Sequence, residues 1–282
     1  MVHGIQKNNV GTSLKHFCCN NEEYIRQTIS SEVDERTLRE IYLAQFEYIV
    51  KTEQPTTVMC SYNKLNGTYL SDNKRMLTDI LRDEWGFKGI VVSDWGAVND
   101  RVEGIKAGMD LEMPGNKGLN DSAIINAVKD GTLNEEDLDK VCFRLVKFAF
   151  ENKTKEVENF KVDFKAHHEL ARHAAASSAV LLKNDGALPL KKKQNIAVIG
   201  QLAKRLRYQG AGSSHINTTE ITSFIDAMEK NGETFVYEDG YNIKGDGYSK
   251  SKINKACKAA EGKDMVVVFV GLTDAFESGR FR

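Results

Sequence analysis

The feature that most constrains the fold of this 282-residue chain is a short apolar run that ends abruptly in polar residues. Residues 89–92 (Gly-Ile-Val-Val) carry no polar side chain, which is typical of a strand buried on both faces of a parallel sheet. Ser93, Asp94 and Trp95 come directly after it. A carboxylate at the end of such a strand lies where α/β folds bind their ligands. Asp94 could equally cap the next helix, as aspartate often does.

The order of elements in the first half of the chain predicts a parallel α/β domain. Strand patterns alternate there with helical patterns, and such alternation is typical of parallel sheets. The strands are predicted at residues 10–17, 56–62 and 89–94, and the helices at residues 34–51 and 76–81.

Each of these predicted strands ends in polar side chains. Lys15 and His16 end the first strand, Tyr62 ends the second and Asp94 ends the third. Residues 107–114 form a fourth strand-like segment. In a closed β/α barrel the carboxyl ends of the strands converge on one face, where catalysis takes place. We therefore expect these side chains to lie close together.

A charged segment separates two predicted domains. Residues 151–166 have little apolar periodicity and are interpreted as a linker between a first domain, 1–150, and a second domain, 167–282. The second domain again alternates strand and helix patterns. Its strands are predicted at residues 180–182, 195–200, 235–237 and 265–271, and its helices at residues 170–179, 221–230 and 253–260.

The composition argues against several classes of partner. A net charge of −1 gives no electrostatic reason to expect nucleic acid or an anionic membrane surface. No segment has the apolar length of a membrane span. The first residues have neither the basic start nor the apolar core of a signal peptide, which favours a cytoplasmic location. The oligomeric state is left open by the sequence.

The cysteines indicate neither a metal site nor a redox pair. They are odd in number, scattered, and without the CxxC spacing of zinc sites. We therefore expect no bound metal and interpret them as buried or idle thiols in a reducing compartment. The five are Cys18, Cys19, Cys60, Cys142 and Cys257.

Four segments in combination resemble glycoside hydrolase family 3, most closely its β-glucosidase branch. They are residues 15–17 (Lys-His-Phe), 59–63 (Met-Cys-Ser-Tyr-Asn), 93–95 (Ser-Asp-Trp) and 111–115 (Leu-Glu-Met-Pro-Gly). In the second half, residues 180–184 together with 188–190 resemble the start of the family's C-terminal domain. The resemblance implies a partial (β/α)8 TIM-type barrel, containing only the later strands, followed by a partial α/β sandwich domain.

The resemblance also implies retaining hydrolysis of terminal β-linked glycosyl residues in carbohydrate metabolism. A carboxylate attacks the anomeric carbon in that mechanism, and a second carboxylic acid about 5–5.5 Å away protonates the leaving oxygen. Asp94 stands at the position of the family's nucleophile. The expected partner is an oligosaccharide or another β-glycoside, and two-carboxylate chemistry implies no metal or organic cofactor.

Further residues match the family's sugar subsites. Lys15 and His16 match ligands of the glycone hydroxyls, and Tyr62 matches the tyrosine beside the nucleophile. Met59 matches a wall of the subsite, and Trp95 is expected to stack on the sugar ring or the aglycone. Taken singly, each of these residues has an ordinary structural interpretation, as surface polarity or as core.

The branch of the family is indicated by the two residues that come directly after Lys15, His16 and Phe17. The family's N-acetylglucosaminidases have Pro-Gly there and use a histidine-containing acid/base loop, whereas this chain has Cys18 and Cys19. β-Glucosidase or β-xylosidase is therefore the better interpretation, and the sequence separates these two poorly.

Two departures from the family pattern predict that the chain is a piece of a longer enzyme. The family has further barrel strands before the Lys15 segment, and these carry an aspartate and an arginine that bind the glycone. Near the end of the chain, Glu277 matches the first glutamate of the family's Glu-Ser-Glu-Gly pattern, and Gly279 occupies the acid/base position. We expect the chain by itself to be weakly active or inactive, since losing general-acid catalysis typically costs about 10²–10⁴-fold in rate.

Two other functions fit parts of the sequence. One is a non-catalytic sugar-binding protein that kept the fold. The other is dinucleotide binding, prompted by the strand at residues 195–200 and the glycine-rich residues 210–214. Those glycines do not come directly after a strand in the G-x-G-x-x-G arrangement, which argues against it. We expect instead that Ser213 approaches the sugar site from the second domain.

Overall fold

The structure is a computed structural model, and it describes residues 1–153, 159–210, 212–244, 247–273 and 276. The chain divides into two units, Met1–Glu156 and Val157–Arg282. Each unit contains a three-stranded parallel sheet. No helix in the described residues is long and apolar enough to cross a membrane.

The first unit alternates strands with helices. Its helical run over residues 35–53 begins at Asp34, whose side chain accepts a hydrogen bond from the Thr37 N–H, as the sequence predicts. In chain order the elements are α1 (Val2–Gln6), β1 (Ser13–Phe17), β2 (Ser30–Ser31), α2 (Glu35–Thr37), a π-helical segment (Leu38–Leu43), α3 (Ala44–Glu53), β3 (Thr57–Cys60), β4 (Lys64–Leu65), β5 (Thr68–Tyr69), a 3₁₀ turn (Leu70–Asp72), a second π-helical segment (Arg75–Glu84), β6 (Ile90–Ser93), α4 (Arg101–Ala107), α5 (Asp121–Lys129) and α6 (Glu135–Glu151).

The parallel sheet of the first unit places three strand ends side by side. β3 lies between β1 and β6, and Cys60 is in register with both Phe17 and Ser93. All four residues of β6 are buried, as its apolar composition predicts. The fourth predicted strand is reduced to one parallel bridge between Leu111 and Val92. Residues that come after β1, β3 and β6 therefore emerge at one edge of the sheet.

An apolar core anchors these strands. The fully buried Phe17 packs edge-on against the rings of Phe46 and Trp85, with centroids 5.2 and 6.0 Å away. Val58 on β3 and Val91 on β6 are fully buried as well. Each such side chain stabilises the fold by about 1.5–3 kcal/mol. The burial of Phe17 thus fixes the end of β1, directly after the Lys-His pair.

A buried ion cluster locks β6 to two helical segments. The carboxylate of Asp110, only 1% exposed, accepts hydrogen bonds from Arg82 at 2.6 Å, Arg144 at 2.5 Å and the Val91 N–H at 2.7 Å. Arg101 donates to the carbonyl oxygen of Asp110 at 3.0 Å. A charge is tolerated at this depth only when it is paired and hydrogen-bonded, so the cluster fixes the position of β6.

The second unit is also an α/β arrangement, with β7 between β8 and β9 and all three strands parallel. All four residues of β7 are buried. In chain order the elements are α7 (Phe164–Ser177), β7 (Ile196–Ile199), a 3₁₀ turn (Gln201–Ala203), a second 3₁₀ turn (Gly212–Ser214), α8 (Phe224–Lys230), β8 (Phe235–Glu238), α9 (Lys250–Ala260) and β9 (Met265–Val268).

The strand predicted at residues 180–182 is wrong. These residues form an irregular, exposed segment, and the Leu182 side chain is 92% exposed. An apolar run forms a strand only where a neighbour pairs with its backbone. In the part of the chain that the structure describes, no strand pairs with residues 180–182.

Candidate active site

The carboxylate of Asp94 lies at the carboxyl edge of the first sheet, directly after β6. Its side chain is 14% exposed. The Asp94 N–H donates to the Cys60 carbonyl at 3.2 Å, and the Trp95 N–H donates to Asp94 Oδ1 at 2.7 Å. The next helix, α4, is capped by Asp100. The helix-cap interpretation of Asp94 is therefore wrong, and its carboxylate faces the strand ends.

His16 lies beside this carboxylate. Its Nε2 is 3.3 Å from Asp94 Oδ2, although the two residues come from strands separated by β3. Burial lowers the pKa of His16, and the charge of Asp94 only partly opposes this effect. His16 is thus a neutral imidazole near neutral pH, which can donate to or accept from a polar ligand.

Tyr62, which follows the central strand β3, joins Asp94 and His16 at the same edge of the sheet. Its hydroxyl donates to the Trp95 carbonyl at 3.0 Å. The pKa of Tyr62 is raised, first by burial and then by the charge of Asp94 and a hydrogen bond to it. The phenol therefore stays protonated and holds the Trp95–Gly96 peptide, directly after Asp94, in place.

The other predicted site residues of the first unit are each at least partly exposed. Lys15 is exposed on β1, and its charge lowers the pKa of the neighbouring His16. Met59 is half-buried on β3, in register with Val92. Trp95 is 58% exposed, so its ring is available to a ligand.

Two predicted residues belong to the second unit. Ser213 lies in the 3₁₀ turn Gly212–Ser214, and its expected approach to the sugar site stays a prediction. Glu277 lies outside the described residues.

Arg26 is a site residue that the sequence reasoning missed. Its guanidinium carbon is 4.7 Å from the centroid of the Tyr62 ring, and its Nη1 pairs with Glu23 at 2.8 Å. The positive charge of Arg26 lowers the pKa values of both His16 and Tyr62. Arg26 lies in an irregular stretch with no strand or helix periodicity, so only its spatial position reveals it.

The site contains side chains suited to polar, uncharged ligands. Within the described residues, no group of three or more His, Cys, Asp or Glu side chains is placed to hold a metal ion. A half-buried carboxylate, a neutral imidazole and a phenol offer hydrogen bonds to hydroxyl groups and one nucleophilic oxygen. The exposed Trp95 adds an aromatic face, which is common in sugar sites.

A parallel strand-end site of this kind, followed by a second α/β unit, agrees with the resemblance to glycoside hydrolases found in the sequence. The chain belongs to glycosyl hydrolase family 3. Residues 1–148 match the family's N-terminal domain and residues 179–280 match its C-terminal domain.

Known relatives cover nearly the whole chain. Thermostable beta-glucosidase B of Acetivibrio thermocellus is 50% identical over an alignment of 284 residues, which covers 99% of this chain and 38% of that protein. Exo-alpha-(1->6)-L-arabinopyranosidase of Bifidobacterium longum is 42% identical over 294 residues, covering 100% of this chain and 38% of that protein. The chain thus spans about two fifths of the length of these curated relatives.

Solved structures of β-glucosidases superimpose on nearly the whole chain. The beta-glucosidase of Bifidobacterium adolescentis superimposes with a TM-score of 0.91 at 43% identity, covering 98% of this chain and 41% of that one. Beta-glucosidase 3B of Thermotoga neapolitana, in complex with alpha-D-glucose, superimposes with a TM-score of 0.83 at 34% identity, covering 96% of this chain and 42% of that one. The predicted fold class, a partial barrel followed by a partial α/β sandwich, is confirmed.

Proposed function

We propose that the protein to which this chain belongs hydrolyses terminal β-linked glycosides with retention of configuration, as a β-glucosidase, with Asp94 as the nucleophile. The observation that carries the proposal is the position of the Asp94 carboxylate. It is held at a strand end by the Trp95 N–H at 2.7 Å and lies 3.3 Å from the neutral His16.

In the proposed reaction, an oxygen of Asp94 forms a bond to the anomeric carbon while the glycosidic carbon–oxygen bond breaks. The leaving oxygen takes a proton from a general acid, which the family pattern places at the position that Gly279 occupies in this chain. Water then attacks the anomeric carbon of the glycosyl–Asp94 ester from the side opposite the Asp94 oxygen and restores the carboxylate. The rigid strand end keeps Asp94 in the attacking position, which lowers the entropic part of the barrier.

The proposal assigns hydroxyl recognition to Lys15 and His16. Lys15 supplies an ammonium donor at the exposed edge, and His16 supplies a neutral ring that donates or accepts. Met59 would form an apolar wall and Trp95 a stacking surface. Ser213 is proposed to contribute from the second unit. A glycoside substrate is supported by solved relatives that contain glucose.

A glucoside is the preferred substrate of the proposal, and a pentopyranoside such as a β-xyloside is the second candidate. Relatives named β-glucosidases favour the first. Relatives named arabinopyranosidases, 42% identical to this chain, favour the second. A panel of nitrophenyl glycosides, compared by kcat/KM, separates them because the two substrate classes differ in the exocyclic hydroxymethyl group.

The test of the proposal is covalent trapping. The chain is incubated with dinitrophenyl 2-deoxy-2-fluoro-β-glucoside, whose leaving group needs no proton. We expect a burst of dinitrophenol and a fluoroglucosyl adduct on the peptide that contains Asp94. Asp94→Asn should form neither.

A non-catalytic sugar-binding protein would bind the reagent without an adduct. That result, or an adduct on another carboxylate, would overturn the assignment of Asp94. Cleavage of an unactivated disaccharide at an ordinary enzyme rate would instead contradict the expectation that this chain lacks an effective general acid.

A further inference from the structure

Two neighbouring cysteines form a thiol pair that glycoside hydrolysis does not use. Cys18 and Cys19 come directly after β1 and are 0% and 6% exposed. Their sulfur atoms share a hydrogen bond at 3.7 Å. The structure describes all five cysteines, and no other two of them are hydrogen-bonded to each other. The sequence predicts buried or idle thiols at these positions, and the structure adds that the two thiols are in contact.

Hydrogen bonds hold the backbone on both sides of the pair. The Ser61 hydroxyl donates to the Cys18 carbonyl at 2.9 Å, and the Ser31 hydroxyl donates to the Cys19 carbonyl at 2.9 Å. The Ser61 N–H also donates to the Phe17 carbonyl at 2.9 Å. The two thiols therefore extend from a fixed backbone rather than from a free loop.

The separation of the sulfur atoms suits two bonds to one soft atom. The two sulfur atoms are 3.7 Å apart, so a small rotation of the two side chains brings both within bonding distance of one atom. A structural zinc ion takes four ligands, and within the described residues no cluster of three or more potential ligands includes this pair. A trivalent organoarsenic centre takes only two thiols besides its organic group, so it fits a bidentate site.

The hydrogen bond between the thiols also makes one of them more reactive. The contact with Cys18 lowers the pKa of Cys19, while the same contact and burial raise the pKa of Cys18. Because the thiolate is the nucleophile, Cys19 attacks first and Cys18 closes the chelate. Cys60 is as buried as Cys18, but within the described residues it is hydrogen-bonded to no thiol, and burial raises its pKa to about 12.

We propose that Cys18 and Cys19 are a bidentate dithiol site for trivalent arsenic compounds. An organoarsenic oxide condenses with both thiols in this reaction. Two arsenic–sulfur bonds form, the arsenic–oxygen double bond breaks, and the two thiol protons leave with the oxygen as one molecule of water. No atom changes its oxidation state.

The test uses phenylarsine oxide and the intact, reduced chain. We expect one adduct per chain by mass spectrometry, mapped to the peptide that contains Cys18 and Cys19. The adduct should persist in excess 2-mercaptoethanol and be removed by 1,2-ethanedithiol. Cys18→Ser and Cys19→Ser should each weaken binding by about 10²–10⁴-fold, because the second bond no longer forms within one molecule.

The double variant Cys142→Ser/Cys257→Ser is the matched control and should bind as the wild type does. Cys18→Ala and Cys19→Ala, checked by circular dichroism, replace any serine variant that fails to fold. The proposal is overturned if the native chain forms no adduct, if 2-mercaptoethanol removes it, or if either single variant at the pair binds with unchanged affinity.

Discussion

The two parallel sheets of this chain each carry a carboxylate directly after a strand, but the surroundings of the two carboxylates differ. Asp239 comes after β8 in the second unit and accepts hydrogen bonds from Lys252 at 2.7 Å, Gln201 at 2.8 Å and the Tyr237 hydroxyl at 2.9 Å. The hydrogen bond from Lys252 is the largest cause that lowers the pKa of Asp239 to about 2. Its charge is neutralised by its neighbours.

Asp94, which comes after β6 in the first unit, lies among weaker partners. Its carboxylate accepts from the Trp95 N–H and faces His16, whose pKa is lowered by burial. In the part of the chain that the structure describes, no lysine or arginine forms an ion pair with Asp94 within 4.0 Å. The negative charge of Asp94 therefore stays available to a ligand.

Position at a strand end does not by itself make a carboxylate reactive. A carboxylate whose oxygens are already paired stabilises the fold, whereas one with a neutral neighbour and a half-open face can attack or bind. The neighbours decide the role, and substitutions at each carboxylate and its neighbours test this difference.

The largest expected effect comes from Asp94→Asn. The amide has the same shape but no nucleophilic charge, so turnover of an activated aryl β-glucoside should fall by about 10⁴-fold or more. The release of dinitrophenol measures it. The Asp94 variant should keep the unfolding midpoint of the wild type within a few degrees, since the Trp95 N–H still finds an acceptor.

Asp239→Asn is the matched control in the second unit. It should leave turnover unchanged and lower the stability of that unit by about 0.5–1 kcal/mol, because the pair with Lys252 is partly exposed. Equal losses of turnover in both variants would contradict the division between a structural and a reactive carboxylate.

Asp110→Asn should produce the next largest effect, on stability rather than on chemistry. The variant leaves Arg82 and Arg144 with an uncharged partner at a site that is 1% exposed. Breaking a buried ion pair typically costs about 3–5 kcal/mol. Urea unfolding followed by tryptophan fluorescence checks this, since Trp85 is buried in the same unit. A loss below about 1 kcal/mol would show that solvent screens the cluster.

The sequence predicted the alternation of strands and helices well, because that pattern depends on local burial. The apolar residues of β6 and β7 are buried on both faces, so their composition identifies them without knowledge of their partners. Residues 180–182 have the same composition but are exposed. Pairing with a neighbouring strand decides such cases, and a single sequence does not contain that information.

The sequence predicted only part of the candidate site, because it does not show which distant segments come into contact. The alignment of strand ends explains why Lys15, His16, Tyr62 and Asp94 were expected at one edge. Arg26 was missed because it approaches from an irregular segment. The contacts of the Asp110 cluster and the pairing of the Cys18 and Cys19 thiols depend on side-chain directions, which spacing along the chain does not give.

Tyr62→Phe should reduce turnover by a smaller amount. The variant removes the hydrogen bond to the Trp95 carbonyl and the phenol next to Asp94. A hydrogen bond between neutral groups is worth about 0.5–1.5 kcal/mol, which corresponds to about 2- to 13-fold in rate. The matched variant is Tyr237→Phe, which removes a hydroxyl bound to Asp239 and should not alter turnover. The same fall in both variants would contradict a specific role for Tyr62.

The smallest expected effect is the pH dependence that His16 gives to the stability of the first unit. An unfolded histidine titrates near its ordinary pKa of 6.5, whereas burial lowers the pKa of His16 in the folded chain. Between these two values the unfolded chain binds more protons, so stability rises with pH and this contribution is complete above the unfolded pKa. Urea unfolding of the wild type and of His16→Gln, compared over a pH series, isolates the contribution of His16 to the free energy of unfolding. The advantage of the wild type should shrink as the pH falls through 6.5. If the stability advantage of the wild type grows instead as the pH falls, the attraction of Asp94 outweighs burial and His16 is a cation in the folded chain. Asp94 would then be paired with a cation, as Asp239 is paired with Lys252.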